Sequence, residues 1–328
     1  MELFDGLRFK IVRKGIRIVF PEATDARVLG AVARLRVEEL ITPILIGKHD
    51  EVIQAIHHRG LQSSAFEIID PDNYPEWDEM VESFVARRNG KITKADAEVL
   101  LKDENYFGTM LVYMNKADGL VSGAIHSTAD TVRPALQIIK TKPGISRTSG
   151  AFLMIRGRDE EKYLFSDCAI NVDPDAQALA EIAIASAETA RLFDIDPKVA
   201  MLSFSTKGSG KAPSVDKVVE ATAIAKKLDP ELLLDGELQF DAAYTNSVAQ
   251  AKAPDSKVAG AANVFVFPDL QAGNIGYKIA QRLGNFEAIG PILQGLNKPV
   301  SDLSRGANEE DVYKLSIITA AQALLNKD

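Results

Sequence analysis

The chain has little cysteine, tryptophan or histidine: one Cys, one Trp and four His in 328 residues. A single cysteine excludes an internal disulfide and any cysteine-rich zinc centre. Cys168, in Phe165-Ser-Asp-Cys-Ala-Ile170, reads as a buried and inert thiol, because a nucleophilic role needs a base beside it. His49, His57, His58 and His126 show no metal-ligand spacing, and the adjacent pair falls on what should be a solvated helix face, so no metal is expected. No apolar run approaches the roughly 20 residues needed to cross a bilayer. Met1–Arg8 lacks the apolar stretch and small-residue cleavage site of a secretory signal, which makes a cytoplasmic chain with no membrane partner the expectation. Basic blocks interleaved with aromatics are missing too. With 38 Lys+Arg against 46 Asp+Glu the formal charge is −8, which argues against nucleic acid. An acidic chain that handles anions must concentrate its arginines locally.

Two nucleotide signatures are also absent. Lys207-Gly-Ser-Gly-Lys-Ala-Pro213 has a Gly-Lys pair, but Ser205 stands where a phosphate loop needs its first glycine and Ala212 follows the lysine. No Gly-x-Gly-x-x-Gly follows the first strand, so a dinucleotide fold has no support.

What is present is a folded chain too long for one ordinary core, 46% hydrophobic and 26% charged, which fits two domains. Short Val/Ile/Leu/Phe runs alternate with amphipathic segments, the pattern of βαβ units and mostly parallel sheets. Strands are expected at Gly15–Phe20, Thr42–Gly47, Asp118–Gly123, Phe152–Ile155, Lys198–Ser203, Glu231–Asp235 and Asn263–Phe267. Helices are expected from Asp25 to Arg36, through His57, from Ala129 through Ile139, from Asp175 to Leu192, from Val215 to Leu228, and from Glu309 to about Leu325. Pro and Gly interrupt the periodicity at Thr141–Ile145 and again at Gly290–Pro299, marking two boundaries. The last helix is expected to pack back on the first domain.

Two segments carry candidate chemistry. In Pro299-Val-Ser-Asp-Leu-Ser-Arg-Gly-Ala-Asn-Glu-Glu-Asp311 a hydroxyl and a guanidinium, Ser304-Arg305, sit on a turn attributed to Gly306, with a carboxylate at the start of the next helix. A guanidinium offers a planar fork matched to phosphate, so the segment suggests acyl or phosphoryl transfer. Asn308 with Asp311 also reads as a capping pair. In Val121–Arg133 a strand ends, a glycine turn follows, and Ser127, Thr128 and Arg133 open a helix. Beyond the carboxyl ends of parallel strands this is a natural place for an anion, and Ser127 or Thr128 is equally a good N-cap. Arg87-Arg88 ends another helix.

Taken with these segments, Phe20-Pro-Glu-Ala-Thr-Asp-Ala-Arg27, Asp118–Ala124, Thr131–Gln137, Ser166–Pro174, Asp235–Asp241 and Phe267–Asn274 make the chain resemble the phosphate acetyltransferase family from end to end. The resemblance implies reversible conversion of acetyl-CoA and phosphate to acetyl phosphate and CoA, with CoA as substrate and no further cofactor. It implies two doubly wound α/β/α domains, residues 1–143 plus 295–328 and residues 144–294, with an active-site cleft between them and a homodimer through the second. It assigns Asp311 as general base, Ser304 to the CoA thiol, Arg305 to phosphate and acyl oxygen, Arg133 as a second active-site arginine, and Arg87 to CoA. After Arg87 the order of basic residues departs from the family pattern. Related chemistries to weigh are propionyl or butyryl transfer, and a non-catalytic module that binds acetyl phosphate or CoA.

Overall fold

The computed structural model describes residues 3–157 and 161–325, so the start of the Met1–Arg8 reading lies outside the described residues. The chain divides into two compact units, Met1–Lys142 with Leu296–Asp328, and Pro143–Gly295.

The first unit begins with α1 (Leu3–Ile11), β1 (Arg17–Phe20), α2 (Ala26–Val37), β2 (Thr42–Ile46), α3 (His49–His58) and β3 (Glu67–Ile69). It continues through α4 (Trp77–Arg88), α5 (Lys94–Leu100), α6 (Glu104–Tyr113), β4 (Gly119–Ser122) and α7 (Thr128–Pro134). The second unit runs β5 (Ser149–Arg156), β6 (Glu161–Ser166), α8 (Ala176–Leu192), β7 (Lys198–Leu202), α9 (Pro213–Leu228), β8 (Leu233–Leu238), α10 (Phe240–Tyr244) and α11 (Asn246–Lys252). It ends with β9 (Val264–Val266), α12 (Leu270–Leu283) and β10 (Glu287–Gln294), after which β11 (Val300–Asp302) and α13 (Glu309–Leu325) return to the first unit.

The sheet of the first unit is parallel throughout, in the order β11-β4-β1-β2-β3. Its central strands β1, β2 and β4 are largely apolar on both sides because helices cover both faces. Gly108 of α6 lies against Val19 and Leu120 on one face, while Gly119 and Ser301 meet Thr319 of α13 on the other. The helix α13 is buried nearly all round, by Val312, Leu315, Ile317, Ile318 and Ala321 among others, which explains why its sequence has no polar stripe. Asp25 starts α2 by accepting the amides of Arg27 and Val28.

The second unit has a six-stranded sheet, β10-β5-β6-β9-β7-β8. From β6 to β8 it is parallel, whereas β10, β5 and β6 pair antiparallel. Phe152, Phe165 and Phe265 pack with α10 and α12 on one face. On the other, Gln294 bonds Ser149, Ser166 and Ser186 and donates to Thr189, so buried amide and hydroxyl groups satisfy one another.

The strands β3, β6, β10 and β11 are absent from the periodicity reading, and the strand expected at Glu231–Asp235 runs Leu233–Leu238. The helix expected from Ala129 through Ile139 is regular only to Pro134. Proline has no amide hydrogen for the helical ladder, and the next residues, Ala135–Ile139, form a π turn closed by Lys140 N on Ala135 O at 2.9 Å.

Gly123, after β4, has φ +108°, and a Cβ there would stand 2.6 Å from Asp302 Oδ1 and from Leu303 N and O. Gly123→Ala is therefore expected to cost about 1–3 kcal/mol. Urea unfolding should show an earlier midpoint, and hydrogen exchange should show the β4/β11 edge losing protection first.

Candidate active site

Three loops meet where β1, β4 and β11 end in the first unit. Ile18 and Val19 pair with β4, and Val300–Asp302 pair with Leu120–Ser122, so these three carboxyl ends are neighbours. In open α/β sheets this edge is where ligands bind. Glu22, just past β1, is 3% exposed and accepts the backbone amides of Ala124, Ile125 and His126 at 2.7, 2.8 and 2.9 Å. The Nδ1 of His126 lies 2.8 Å from the same carboxylate. One side chain thus wraps the whole loop after β4.

Arg27 makes the second tie. Its Nη1 donates to the carbonyls of Arg305 and Ala307 at 3.0 and 2.8 Å, and its Nη2 donates to the Ala124 carbonyl and to Asp25, both at 2.8 Å. Burial pushes the Asp25 carboxyl up, but the Arg27 bond and the two backbone amides outweigh it and hold that group below its usual range. Five donors in a rigid fork let one arginine hold all three loops.

The Ser304 loop is exposed at Ser304, Arg305 and Gly306. Ser304 Oγ accepts the Gly306 amide at 3.2 Å, and the Ser304 carbonyl accepts the Ala307 amide at 2.8 Å. The turn does not depend on glycine: Gly306 is outside the left-handed region, and a Cβ there would meet nothing nearer than Ser304 Oγ at 3.7 Å. Ser304 and Arg27 hold its shape instead. Among the described residues the Arg305 guanidinium has no hydrogen-bond or ion-pair partner.

Asp311 lies in the first turn of α13. The Asn308 amide donates to Asp311 Oδ2 at 2.9 Å, and the Asp311 amide donates to Asn308 Oδ1 at 3.0 Å, a reciprocal cap. Two other acids share that turn, and arginines occupy both: Glu309 pairs with Arg59 at 3.1 Å and Glu310 with Arg34 at 2.7 Å. Among the described residues Asp311 has no cationic partner, and its Oδ1 has no donor. Capping uses one oxygen and leaves the other.

At α7 the capping alternative describes Ser127. Its Oγ donates to Asp130 Oδ2 at 2.6 Å and accepts the Asp130 amide at 3.4 Å, and the Ser127 hydroxyl together with the Ser127 backbone amide holds the Asp130 carboxyl below its usual range. The α7 start therefore already carries a carboxylate. Thr128 is exposed on the next position, and Arg133 is exposed in the last turn with no ion pair or hydrogen bond from its guanidinium among the described residues. Arg87 is turned toward the π turn: its Nε and Nη2 donate to the carbonyls of Ile138 and Ile139 at 2.5 and 2.9 Å, and it lies 4.9 Å over the Tyr113 ring. The charges of Arg87, then burial, then Lys91 and Arg88 push the Lys140 ammonium down, the mark of a crowded cationic patch.

Elsewhere, Cys168 is buried in the aromatic core of the second unit, and burial followed by the Asp167 charge pushes its thiol well up, away from nucleophilic use. In the loop that imitates a phosphate site, the Gly208 amide is taken by Glu237 at 2.7 Å and Lys207 by Asp235 at 2.6 Å. Glu22, Arg27, His126 and Asp302 are site-edge residues that sequence reasoning passed over. The segment Phe20–Arg27, which contains the first two, carries the family resemblance in the sequence, with no role given to either side chain.

Compared with known proteins, residues 3–320 match the model of the phosphate acetyl/butaryl transferase family. The phosphate acetyltransferase of Bacillus subtilis is 61% identical over 323 residues, covering 98% of this chain and 99% of that protein. That of Staphylococcus aureus is 58% identical over 327 residues, covering 98% and 99%. A phosphotransacetylase of known structure from Streptococcus pyogenes superposes with a TM-score of 0.97 at 66% identity, covering 98% of both chains. A branched-chain phosphotransacylase from Enterococcus faecalis, 19% identical with a TM-score of 0.69 over 94% of this chain and 99% of that one, shares the fold. Matched over nearly its whole length, the chain belongs to the phosphate acetyl/butaryl transferase family.

Proposed function

We propose that the protein is a phosphate acetyltransferase, interconverting acetyl phosphate and CoA with acetyl-CoA and phosphate. Relatives more than half identical over the whole chain carry that name. The observation that carries the assignment of roles is the Asp311 carboxylate: among the described residues it alone of the three acids opening α13 has no arginine, and it stands in the turn that follows Arg305, whose guanidinium has no partner among them either.

A free thiol with a pKa of about 8.5 is only a few per cent thiolate at neutral pH, so a positioned base is the first requirement. Asp311 takes the proton from the CoA thiol, which Ser304 orients. The sulfur attacks the acetyl carbonyl carbon, the bond from that carbon to the phosphate oxygen breaks with its electron pair leaving on phosphate, and the proton passes to the departing phosphate. Negative charge grows on the carbonyl oxygen and the leaving phosphate, where Arg305 and Arg133 supply donors. No covalent enzyme intermediate is needed, in keeping with the buried Cys168. The patch of Arg87, Arg88, Lys91 and Lys140 suits the phosphates of CoA: a bound anion would relieve the repulsion that lowers Lys140. Substrates of this kind place the enzyme in the cytoplasm.

The same reading includes a homodimer through the second unit. On α12, Ile275, Ile279 and Leu283 are 56%, 53% and 80% exposed at one-turn spacing, an apolar stripe that a second copy would cover.

Three outcomes are expected. Asp311→Asn should lower kcat by roughly 10²–10⁴, while the unfolding free energy changes by less than about 1 kcal/mol, since asparagine can still cap. Equal activity with lower stability would reduce Asp311 to a cap. Arg305→Lys keeps the charge and loses the fork, and should lower kcat/KM for acetyl phosphate roughly 10- to 100-fold; steady-state kinetics in both directions check it. Ile279→Asp should convert a dimer to monomer in light scattering, and an unshifted mass would remove that stripe from the interface.

A further inference from the structure

One buried cluster at the same sheet edge has no part in the chemistry above. Asp302 closes β11 and is 1% exposed, Ser122 faces it in register on β4 at 0%, and Thr131 of α7 is 1% exposed. Asp302 Oδ1, Ser122 Oγ and Thr131 Oγ1 are all shut from solvent, and none has a hydrogen-bond partner among the described residues. Orphaned polar atoms are costly, and three together call for an explanation.

Alternation along β11 sends Ser301 to the opposite face, where its hydroxyl meets Thr319 of α13 at 2.7 Å, so Asp302 turns toward α7. From α7 the hydroxyls of Thr128 and Thr131 stand near enough to favour its charged form without completing a hydrogen bond to Oδ1, and past β1 the buried Glu22 carboxylate adds a like charge. The other charged groups of α7 are engaged or outward: Asp130 caps with Ser127, and Arg133 is exposed. The face of α13 against β11 offers Thr319 rather than a charge. Burial first, and Glu22 after it, push the Asp302 carboxyl up to about 6 against the two threonines. An aspartate raised in this way stabilises the fold when protonated. Its contribution is complete below the ordinary value of 3.8 and is lost as pH rises through about 6. Above that the ionised carboxyl strains the structure, and strain at a sheet edge beside candidate catalytic groups is a sign of use.

We propose that Asp302 is a positioning residue: its carboxylate, with Thr128, Thr131 and Ser122 as hydroxyl partners, sets the first turn of α7, and so Arg133, in register with the Ser304-Arg305 loop that begins two residues after it. The proposal rests on the acyl-transfer reading. Ionised, Asp302 accepts from the hydroxyls and joins α7 to β11. Protonated, it keeps one acceptor oxygen and its new O–H donates, so the hydroxyls reorient and α7 settles in a different register: the fold gains stability while transfer weakens on the acid side without any change in the groups that touch substrate.

The test follows acetyl-CoA formation from acetyl phosphate and CoA between about pH 5 and pH 9, with thermal midpoints, for the full chain and two variants. Thr131→Val removes a donor to the ionised form and should move the acid limb of kcat/KM upward by about half a unit or more. Asp302→Asn should abolish that limb and lower kcat/KM roughly tenfold or more above it, with the midpoint level or raised because a buried charge is gone. The proposal is overturned if both variants keep the wild-type pH profile, or if lost activity merely follows a lowered midpoint. Inactive wild-type protein would sink the acyl-transfer reading instead. Carboxyl-carbon NMR would then decide on Asp302, whose titration must rise in Thr131→Val if the hydroxyl partners it.

Discussion

The pairing of Val300–Asp302 with Leu120–Ser122 is the constraint on which the candidate site of the first unit depends. Three residues returning from the far end of the chain become the edge strand of a parallel sheet. The loop that follows them, with Ser304 and Arg305, is thereby placed beside the loop after β4. A short strand is a weak hold by itself. It is reinforced on one face by Ser301 against Thr319 of α13, and at its end by Arg27, which grips carbonyls on both loops.

Charge is used sparingly around this edge. The chain is acidic overall, yet its cations are placed where carboxylates or carbonyls would otherwise be unmatched: Arg34 and Arg59 on Glu310 and Glu309, Arg27 on Asp25 and three carbonyls, Arg87 on the end of the π turn. This pairing is what makes the exceptions informative. Among the described residues Arg305, Arg133 and Asp311 are left without partners of opposite charge in a region where such partners are common, and unpaired groups are those with capacity for a ligand.

Much of the fold was legible because buried parallel strands read as short apolar runs and helices announce their caps. Asp25 and Asn308 mark the starts of α2 and α13, and the α13 boundaries agree with those read from sequence. The strands β6 and β10 were hidden: Glu161–Ser166 carries charge at its open end, and Glu287–Gln294 contains Gly290 and Pro291, which read as a break. Val300–Asp302 was hidden inside a segment read for its chemistry. Gly306 misled in the other direction, since a glycine beside Ser-Arg suggests a turn that needs it and the turn is held by hydrogen bonds.

By itself the sequence determined the class of fold, the alternation of elements, and the residue types able to handle an acyl phosphate, because these follow from local periodicity, capping and functional-group chemistry. Which of those residues are free to act was decided only by tertiary structure. That Ser127 is committed to a cap, that Arg87 faces carbonyls, that Glu309 and Glu310 are neutralised while Asp311 is not, and that Asp302 is buried beside Glu22 all depend on partners distant in the chain. Hydrogen bonds and desolvation act through space, and no local reading of the chain contains those distances.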